Sequence, residues 1–144
     1  MTRVLVTGAS GFIGQHAVQQ LQLSGFEVHA VFAHTRIDTQ ASVIAHQANL
    51  LEPGTVEKLV AAVRPEQLLH LAWCAKPGVY WTSPENLLWV RATLRLLDAF
   101  QAQGGQHAVL VGSCAEYDWR YGYCREEVTP LIPATVYGRC KNAT

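Results

Sequence analysis

A glycine-rich segment directly after the first apolar run constrains this chain more than any other feature. Residues 3–7 form a short run rich in β-branched side chains, and residues 7–14 carry three glycines in the spacing G-x-x-G-x-x-G. An amphipathic stretch with helical periodicity begins at Phe12. A strand, a glycine loop and a helix in this order predict the first half of a βαβ unit.

Each glycine of this loop has its own geometric reason. Gly8 permits a tight turn, Gly11 lets the backbone approach a pyrophosphate, and Gly14 lets the helix pack closely on the strand. The helix N-terminus adds N–H groups without intrahelical partners and the positive end of the helix dipole. The loop therefore predicts a dinucleotide-binding site, whose expected contact residues are Gly8, Ser10, Gly11, Phe12, Ile13 and Gly14.

Short apolar runs and amphipathic stretches alternate along the rest of the chain. Strands are expected at residues 27–32, 43–47, 67–72 and 107–112, and helices at 12–24, 54–63, 84–103 and from about 134. Strict alternation predicts right-handed crossovers and a parallel sheet, and the continuous apolar strands predict that both sheet faces are covered. The helix at 84–103 has an expected apolar stripe of Leu87, Leu88, Val90, Leu94, Leu97 and Phe100. The predicted fold class is α/β, a doubly wound parallel sheet in one domain over residues 1–144.

The composition argues against several other classes. The 144 residues are 49% apolar and 15% charged, with eleven basic and eleven acidic side chains. This balance offers no electrostatic footprint for nucleic acid or anionic lipid. Because no membrane-length apolar run or signal-peptide profile is seen, a cytoplasmic location is expected. The spacing of the four cysteines and six histidines predicts free thiols and no metal site.

The end of the second strand bears on which dinucleotide is bound. An acidic residue at this place commonly binds the ribose 2′-hydroxyl, whereas this chain has Phe32. His34 and Arg36 follow, and an arginine favours a 2′-phosphate. The predicted cofactor is therefore NADP. NAD is the alternative, in which Arg36 is solvated and Asp38 binds the ribose.

Tyr137 and Lys141 are candidate catalytic residues. Their i, i+4 spacing places both on one helix face. A nearby ammonium stabilises a phenolate, so Tyr137 is suited to exchange a proton with a substrate hydroxyl. The alternative is a chance surface pair.

Six motifs recur in order and carry a family likeness. They are T-G-A-S-G-F-I-G at 7–14, N-L at 49–50, H-L-A-W at 70–73, S-C-A-E-Y at 113–117, T-P-L-I-P at 129–133 and Y-G-R-C-K at 137–141. Over essentially its whole length the chain resembles the extended short-chain dehydrogenase/reductases, the NAD-dependent epimerase/dehydratase group that mostly modifies nucleotide sugars. The resemblance implies a Rossmann-like fold.

The resemblance also implies roles for individual residues. Tyr137 and Lys141 match the catalytic Tyr-x-x-x-Lys pair, with Lys141 also holding the nicotinamide ribose. Ser113 matches the hydroxyl residue that binds the reacting oxygen, although it could instead be only a turn residue. Further cofactor contacts are implied at Asn49, Leu50, Leu71, Ala72 and Trp73.

Two departures from the family pattern narrow the expected activity. Asn49 stands where an Asp is common, and an Asn still hydrogen-bonds an adenine edge. Cys114 and Ala115 stand where sugar 4,6-dehydratases carry an Asp-Glu pair, which disfavours water elimination. Glu116 is one place too late for that pair and is expected to be a loop or substrate-contact residue. A nucleotide-sugar 4-ketoreductase or epimerase is therefore expected.

Several alternatives remain open at this point. They are an oxidoreductase of a non-sugar ketone or alcohol, a non-catalytic dinucleotide sensor, and an inactive fragment. The last strands of the fold and the substrate-binding region are expected to be missing from these 144 residues. A homodimer through the helix at 84–103 and the helix after Ala134 is expected for a full-length protein. The aromatic segments 73–81 and 117–123 either contact substrate or only pack.

Overall fold

The computed structural model describes residues 1–35 and 42–144, and this part of the chain contains five strands and four α-helices. The strands are β1 (Arg3–Thr7), β2 (Glu27–Phe32), β3 (Ile44–Gln47), β4 (Gln67–His70) and β5 (His107–Leu110). The helices are α1 (Phe12–Leu23), α2 (Thr55–Val63), α3 (Glu85–Ala102) and α4 (Val136–Asn142). Each predicted element is present, although β4 and β5 end earlier than the apolar runs suggested.

The five strands form one parallel sheet in the order β3-β2-β1-β4-β5. The strand order reverses between β1 and β4, which are neighbours in the sheet although β2 and β3 lie between them in the sequence. Ligands of such sheets bind beyond the carboxyl ends of the strands at this switch point. The predicted Rossmann-like, doubly wound sheet is confirmed, and the glycine loop leaves β1 at its switch point.

Burial differs sharply between the central and the edge strands. Leu5 and Val6 of β1 and Val28 and Ala30 of β2 are fully buried. The edge strands β3 and β5 are mostly exposed, and Val109 of β5 is 58% exposed. The predicted cover on both sheet faces is therefore wrong for these two strands. An apolar run predicts a strand, but not its place in the sheet, and among the described strands β3 and β5 lie at the two edges.

The apolar stripe predicted for α3 is also partly wrong. Leu87, Leu88 and Leu94 are exposed, whereas Phe100 is buried as predicted. The buried face is made by Asn86, Ala92, Thr93, Leu96 and Phe100. Hydropathy assigns polar residues to the surface, but Asn86 is buried because the surrounding groups satisfy its hydrogen bonds.

The chain divides into two units. The first comprises Met1–Ala72 and Leu94–Val111, and it contains the sheet and the glycine loop. The second comprises Trp73–Thr93 and Gly112–Thr144, and it contains Ser113, Tyr137 and Lys141. No helix in the described ranges is long and apolar enough to cross a membrane.

Candidate functional site

The glycine loop of the first unit is closed by backbone contacts that leave no room for side chains. Gly8 has a φ of +67°, and a Cβ atom on it would lie 2.7 Å from the backbone N of Ala72. A Cβ on Gly14 would meet the Gly8 carbonyl oxygen and lie 2.7 Å from the Cα of Ala9. Gly8 and Gly14 are therefore required for the turn and for the close approach of α1 to the end of β1.

The N-terminus of α1 is open. Gly11 is its N-cap residue, makes no side-chain cap, and has no acidic residue after it in the first turn. Phe12 and Ile13 are exposed, and the Ser10 carbonyl oxygen accepts a hydrogen bond from the Gln15 side chain. The first-turn N–H groups of a helix lack intrahelical partners, so this end of α1 has the donors and the positive dipole that a phosphate needs.

The end of β4 is tied to the loop through Thr7. The Thr7 hydroxyl accepts a hydrogen bond from the Ala72 N–H, with 3.2 Å between N and Oγ1. The Leu71 N–H lies 3.2 Å from the same Oγ1 and donates to the Thr7 carbonyl oxygen as well. Leu71 and Ala72, both predicted cofactor contacts, are thus held beside Gly8.

The remaining cofactor residues predicted in the first unit lie in a loop, in a turn and in the core. His34 is exposed, and Arg36 lies outside the described residues, as does Asp38. Asn49 forms a turn before α2, since its Oδ1 accepts from the Leu51 N–H at 3.1 Å and its Nδ2 donates to Glu52. Leu50 is buried in the core, so any ligand contact it makes comes from its backbone.

In the second unit, Ser113 begins a 3-10 turn at Cys114–Glu116. Its hydroxyl accepts the Ala115 N–H at 3.2 Å, and the Glu116 carboxylate accepts the Ser113 N–H at 2.6 Å, which together make a capping box. Within the described residues, the hydroxyl proton of Ser113 is not used in a hydrogen bond. Ser113 is therefore both a turn residue and a potential donor to a substrate oxygen.

Helix α4 begins at a second side-chain cap, where the Thr135 hydroxyl accepts the Gly138 N–H at 3.0 Å. The Tyr137 N–H donates to the Trp81 carbonyl oxygen at 3.1 Å. The Tyr137 ring makes edge contacts with the rings of Tyr80 and Trp81, at centroid distances of 4.8 and 5.7 Å. These contacts restrict where the phenol can lie.

Gly138 sits between α4 and the turn that carries Ser113. A Cβ on it would meet the Ala115 carbonyl oxygen and lie 2.9 Å from the Cβ of Pro133. The helix that carries Tyr137 and Lys141 can therefore approach this turn only because position 138 has no side chain.

Lys141 follows Tyr137 by one helical turn. Its ammonium lies over the Trp73 ring, with 4.2 Å from Nζ to the ring centroid. Burial lowers the pKa of Lys141 below its usual value, and the Glu116 carboxylate opposes this shift. A lysine with a lowered pKa gives up its proton more readily than an exposed one.

Sequence reasoning missed the buried support of Trp73 and the role of Glu116. Asn86 is fully buried and accepts a hydrogen bond from the indole N–H of Trp73 at 2.8 Å. Glu116 was expected only as a loop or substrate-contact residue. The spacing Ser-x-x-Glu at 113–116 is the capping-box pattern and would have revealed its contact with Ser113.

A cavity of about 440 Å³ also lies in the second unit. Its lining residues are Asp118, Arg120, Tyr121 and Ile132. Asp118 is buried, and the Arg120 guanidinium that binds it keeps the pKa of this carboxyl below its usual value.

Among the described residues, no group of three His, Cys, Asp or Glu side chains is arranged to hold a metal ion.

Comparison with known protein families shows which family the chain belongs to. Residues 4–144 match the model of the NAD dependent epimerase/dehydratase family. The chain belongs to this family. The likeness drawn from the six motifs is thereby confirmed, and it extends over nearly the whole of the chain.

Relatives within the epimerase/dehydratase family act on nucleotide sugars. The chain is 33% identical to UDP-glucose 4-epimerase 2 of Oryza sativa subsp. japonica, and the match covers 96% of this chain and 38% of that protein. It is 27% identical to GDP-mannose 4,6-dehydratase of Vibrio cholerae, over 96% of this chain and 42% of that protein. The chain thus spans less than half the length of these relatives.

A solved structure of the same family superposes closely. The UDP-glucose 4-epimerase of Thermus thermophilus, solved in complex with NAD, matches with a TM-score of 0.84 and 30% identity. The match covers 99% of this chain and 48% of that one. This solved relative was thus crystallised with NAD, and its fold matches that of the present chain.

Proposed function

We propose that this chain is the cofactor-binding part of an NAD-dependent UDP-sugar 4-epimerase. The observation that carries the proposal is the surroundings of the Tyr-x-x-x-Lys pair. Tyr137 is fixed by two aromatic rings, Lys141 is held over an indole, and Ser113 has a hydroxyl proton to donate. Proton transfer to and from a sugar hydroxyl requires these groups.

The relatives support the nature of the substrate. UDP-glucose 4-epimerases from a plant and a bacterium match the chain at 33% and 30% identity, over nearly all of its length. The family model matches residues 4–144, which include the glycine loop and both Tyr137 and Lys141. A UDP-sugar is therefore the proposed substrate.

The residues present fit a dinucleotide. Gly8 and Gly14 allow the tight loop that a pyrophosphate can approach. The N-terminus of α1 has no side-chain cap and offers free N–H donors to the phosphates. The relative of Thermus thermophilus was solved with NAD, which favours NAD over the NADP predicted from Arg36. We therefore propose NAD as the cofactor. Tighter binding of NADPH than of NADH would restore the original prediction.

In the proposed reaction, each residue handles a proton or an oxygen. Tyr137, as phenolate, takes the proton of the sugar 4-hydroxyl while the C4–H bond breaks. Bound NAD would supply the hydride acceptor for the oxidation and the hydride donor for the reduction that inverts C4. Tyr137 then gives the proton back to the new hydroxyl, while Ser113 donates a hydrogen bond to the same oxygen throughout. Lys141 supplies a positive charge that stabilises the phenolate.

Two other activities use the same residues. A 4-ketoreductase needs one hydride transfer instead of two, and nothing in Ser113, Tyr137 or Lys141 separates it from an epimerase. A 4,6-dehydratase needs an additional acid and base, and Cys114 and Ala115 supply neither. Two 4,6-dehydratases are nevertheless relatives at 27% identity, so the activity has to be measured.

The deciding experiment measures interconversion of UDP-glucose and UDP-galactose with NAD by the full-length protein that contains these residues. We expect epimerisation, and we expect Tyr137→Phe to slow it by about 10²- to 10⁴-fold. Tyr123→Phe, a change of an exposed tyrosine, is the matched control and should leave the rate unchanged. NAD binding without interconversion, together with one-way reduction of a 4-keto sugar, would replace the epimerase by a reductase. Absence of NAD binding would overturn the proposal.

We also propose that the protein forms a homodimer through α3. Leu87, Leu88 and Leu94 form exposed apolar surface on this helix. Sedimentation of the wild type and of Leu87→Glu tests this, because a charge in such an interface should shift the protein towards the monomer. A monomeric wild type would contradict the proposal.

A further inference from the structure

The Lys141 ammonium is held by a ring rather than by an ion pair. Its Nζ lies 4.2 Å from the centroid of the Trp73 ring, at a distance where the negative face of the indole attracts a cation. Among the described residues, Lys141 forms no salt bridge. Since the ring attracts the charge and no salt bridge binds it, the N–H donors of the ammonium that point away from the ring remain available to other groups.

The Trp73 ring is itself fixed in place. Its Nε1 donates to Oδ1 of Asn86 at 2.8 Å, and the Asn86 Nδ2 donates to the carbonyl oxygens of Tyr80 and Ser83 at 2.7 and 2.8 Å. The ring also stacks with Trp89 at a centroid distance of 6.1 Å. A ring held by a fully buried amide and by a second indole is a preformed platform.

The nearby carboxylate does not take over this task. Glu116 stabilises the charged form of Lys141, but its Oε1 atom already accepts the Ser113 N–H at 2.6 Å. The carboxylate is thereby held at the turn. Without the indole, burial alone would disfavour the ammonium, and the flexible lysine side chain would be free to take other rotamers.

We propose that Trp73 is a positioning residue, which holds the Lys141 ammonium over its indole ring and so keeps the N–H donors that point away from the ring available to bound NAD. This inference rests on the proposed function, because it assigns Lys141 to the bound NAD. It gives Trp73 a role through Lys141 rather than a direct contact with the reacting atoms.

The test combines NMR spectra of the lysine side chain with NAD titrations on the full chain. The Cε protons of Lys141, assigned by their absence from Lys141→Met, should be shifted upfield by the indole ring in the wild type. Trp73→Leu should abolish this shift and weaken NAD binding about two- to fivefold, the size of a cation–π contact. Trp73→Phe keeps a smaller ring, so its upfield shift and its NAD affinity should lie between those of the wild type and of Trp73→Leu. Trp119→Leu, which removes an exposed indole, should change neither the shift nor the affinity.

The possible failures are distinguishable. Wild-type Lys141 resonances in Trp73→Leu would overturn the contact. Weaker NAD binding in Lys141→Met but not in Trp73→Leu would overturn the positioning role. If the resonances move but neither variant binds NAD more weakly, the proposed role of Lys141 at the cofactor fails with it. Should Trp73→Leu not fold, Trp73→Phe decides by the same two measurements.

Discussion

Thr7 and His70, at the carboxyl ends of the paired strands β1 and β4, are joined by a hydrogen bond of 2.7 Å between Oγ1 and Nδ1. The same hydroxyl accepts the Ala72 N–H, and the Leu71 N–H also points at it. With its lone pairs facing these donors, the hydroxyl gives its one proton to His70, so Nδ1 is the acceptor. This arrangement joins the strand before the glycine loop to the chain that borders it.

Thr7→Val should destabilise the protein although the two side chains have the same shape. The hydroxyl that pairs with the Ala72 N–H and faces His70 is lost inside the core, which costs about 1–3 kcal/mol. Thr7→Ser keeps the hydroxyl and should retain most of the stability. Urea denaturation of the three proteins measures the difference. Equal stability of Thr7→Val and the wild type would mean that the hydroxyl network contributes nothing.

Gly14→Ala should also destabilise the protein, against the usual gain from placing alanine in a helix. The added Cβ meets the Gly8 carbonyl oxygen and Ala9, and such overpacking costs about 1–3 kcal/mol. Gln19→Ala, at an exposed position of α1, is the control and should be neutral or slightly stabilising. Thermal melting compares the variants, and NAD titration should show weaker binding in Gly14→Ala alone. A stabilised Gly14→Ala would contradict the close packing of α1.

Ser113 allows its two roles to be separated. Ser113→Ala removes the cap, which costs about 0.5–2 kcal/mol, and removes the donor to the substrate oxygen, which slows turnover by about 10²- to 10³-fold. Ser113→Thr keeps both groups and should recover both properties. Denaturation and epimerase assays on the same preparations provide the two measurements. Loss of stability without loss of turnover would leave Ser113 as a turn residue only.

The His29–His46 pair should make the protein sensitive to acid. His29 Nδ1 and His46 Nε2 are 2.9 Å apart, and Glu27 binds the other nitrogen of His29 at 3.0 Å. Burial, and secondarily the charge of His29, hold the pKa of His46 below its usual value of 6.5. The unfolded chain therefore binds a proton more readily than the folded one, so stability should fall as the pH drops below about 6.5.

Denaturation curves between pH 5 and about 8 test the histidine pair, in the range where histidine titrates. His46→Gln should lose part of the acid sensitivity, whereas His107→Gln, a change of an exposed histidine on β5, should retain it. An unchanged pH profile in His46→Gln would assign the acid sensitivity to other groups.

The element order could be predicted from the sequence because each strand and helix carries a local signal. The apolar runs of β1 and β2 and the glycine loop all act within a few residues. The burial of α3 could not be predicted in this way. Its buried face includes Asn86, whose partners Trp73, Tyr80 and Ser83 become neighbours only in the folded unit.

The same limit applies to the candidate site. The motifs drew attention to Ser113, Tyr137 and Lys141, since chemistry restricts which residue types occur there. The H-L-A-W motif marked Trp73 only as a cofactor contact. Its place beneath Lys141 had no signal, because the two residues are far apart in the sequence and their contact follows from packing. The NADP prediction depended on Arg36, which lies outside the described residues.

Gly138 gives the site an unusual dependence on a single hydrogen atom. Any other residue would place a carbon against the Ala115 carbonyl oxygen and push α4 away from the turn of Ser113. In a library with all twenty amino acids at position 138, selection for turnover should return glycine alone, whereas selection for helix formation would prefer alanine. At position 138, turnover therefore favours glycine while helix stability favours alanine.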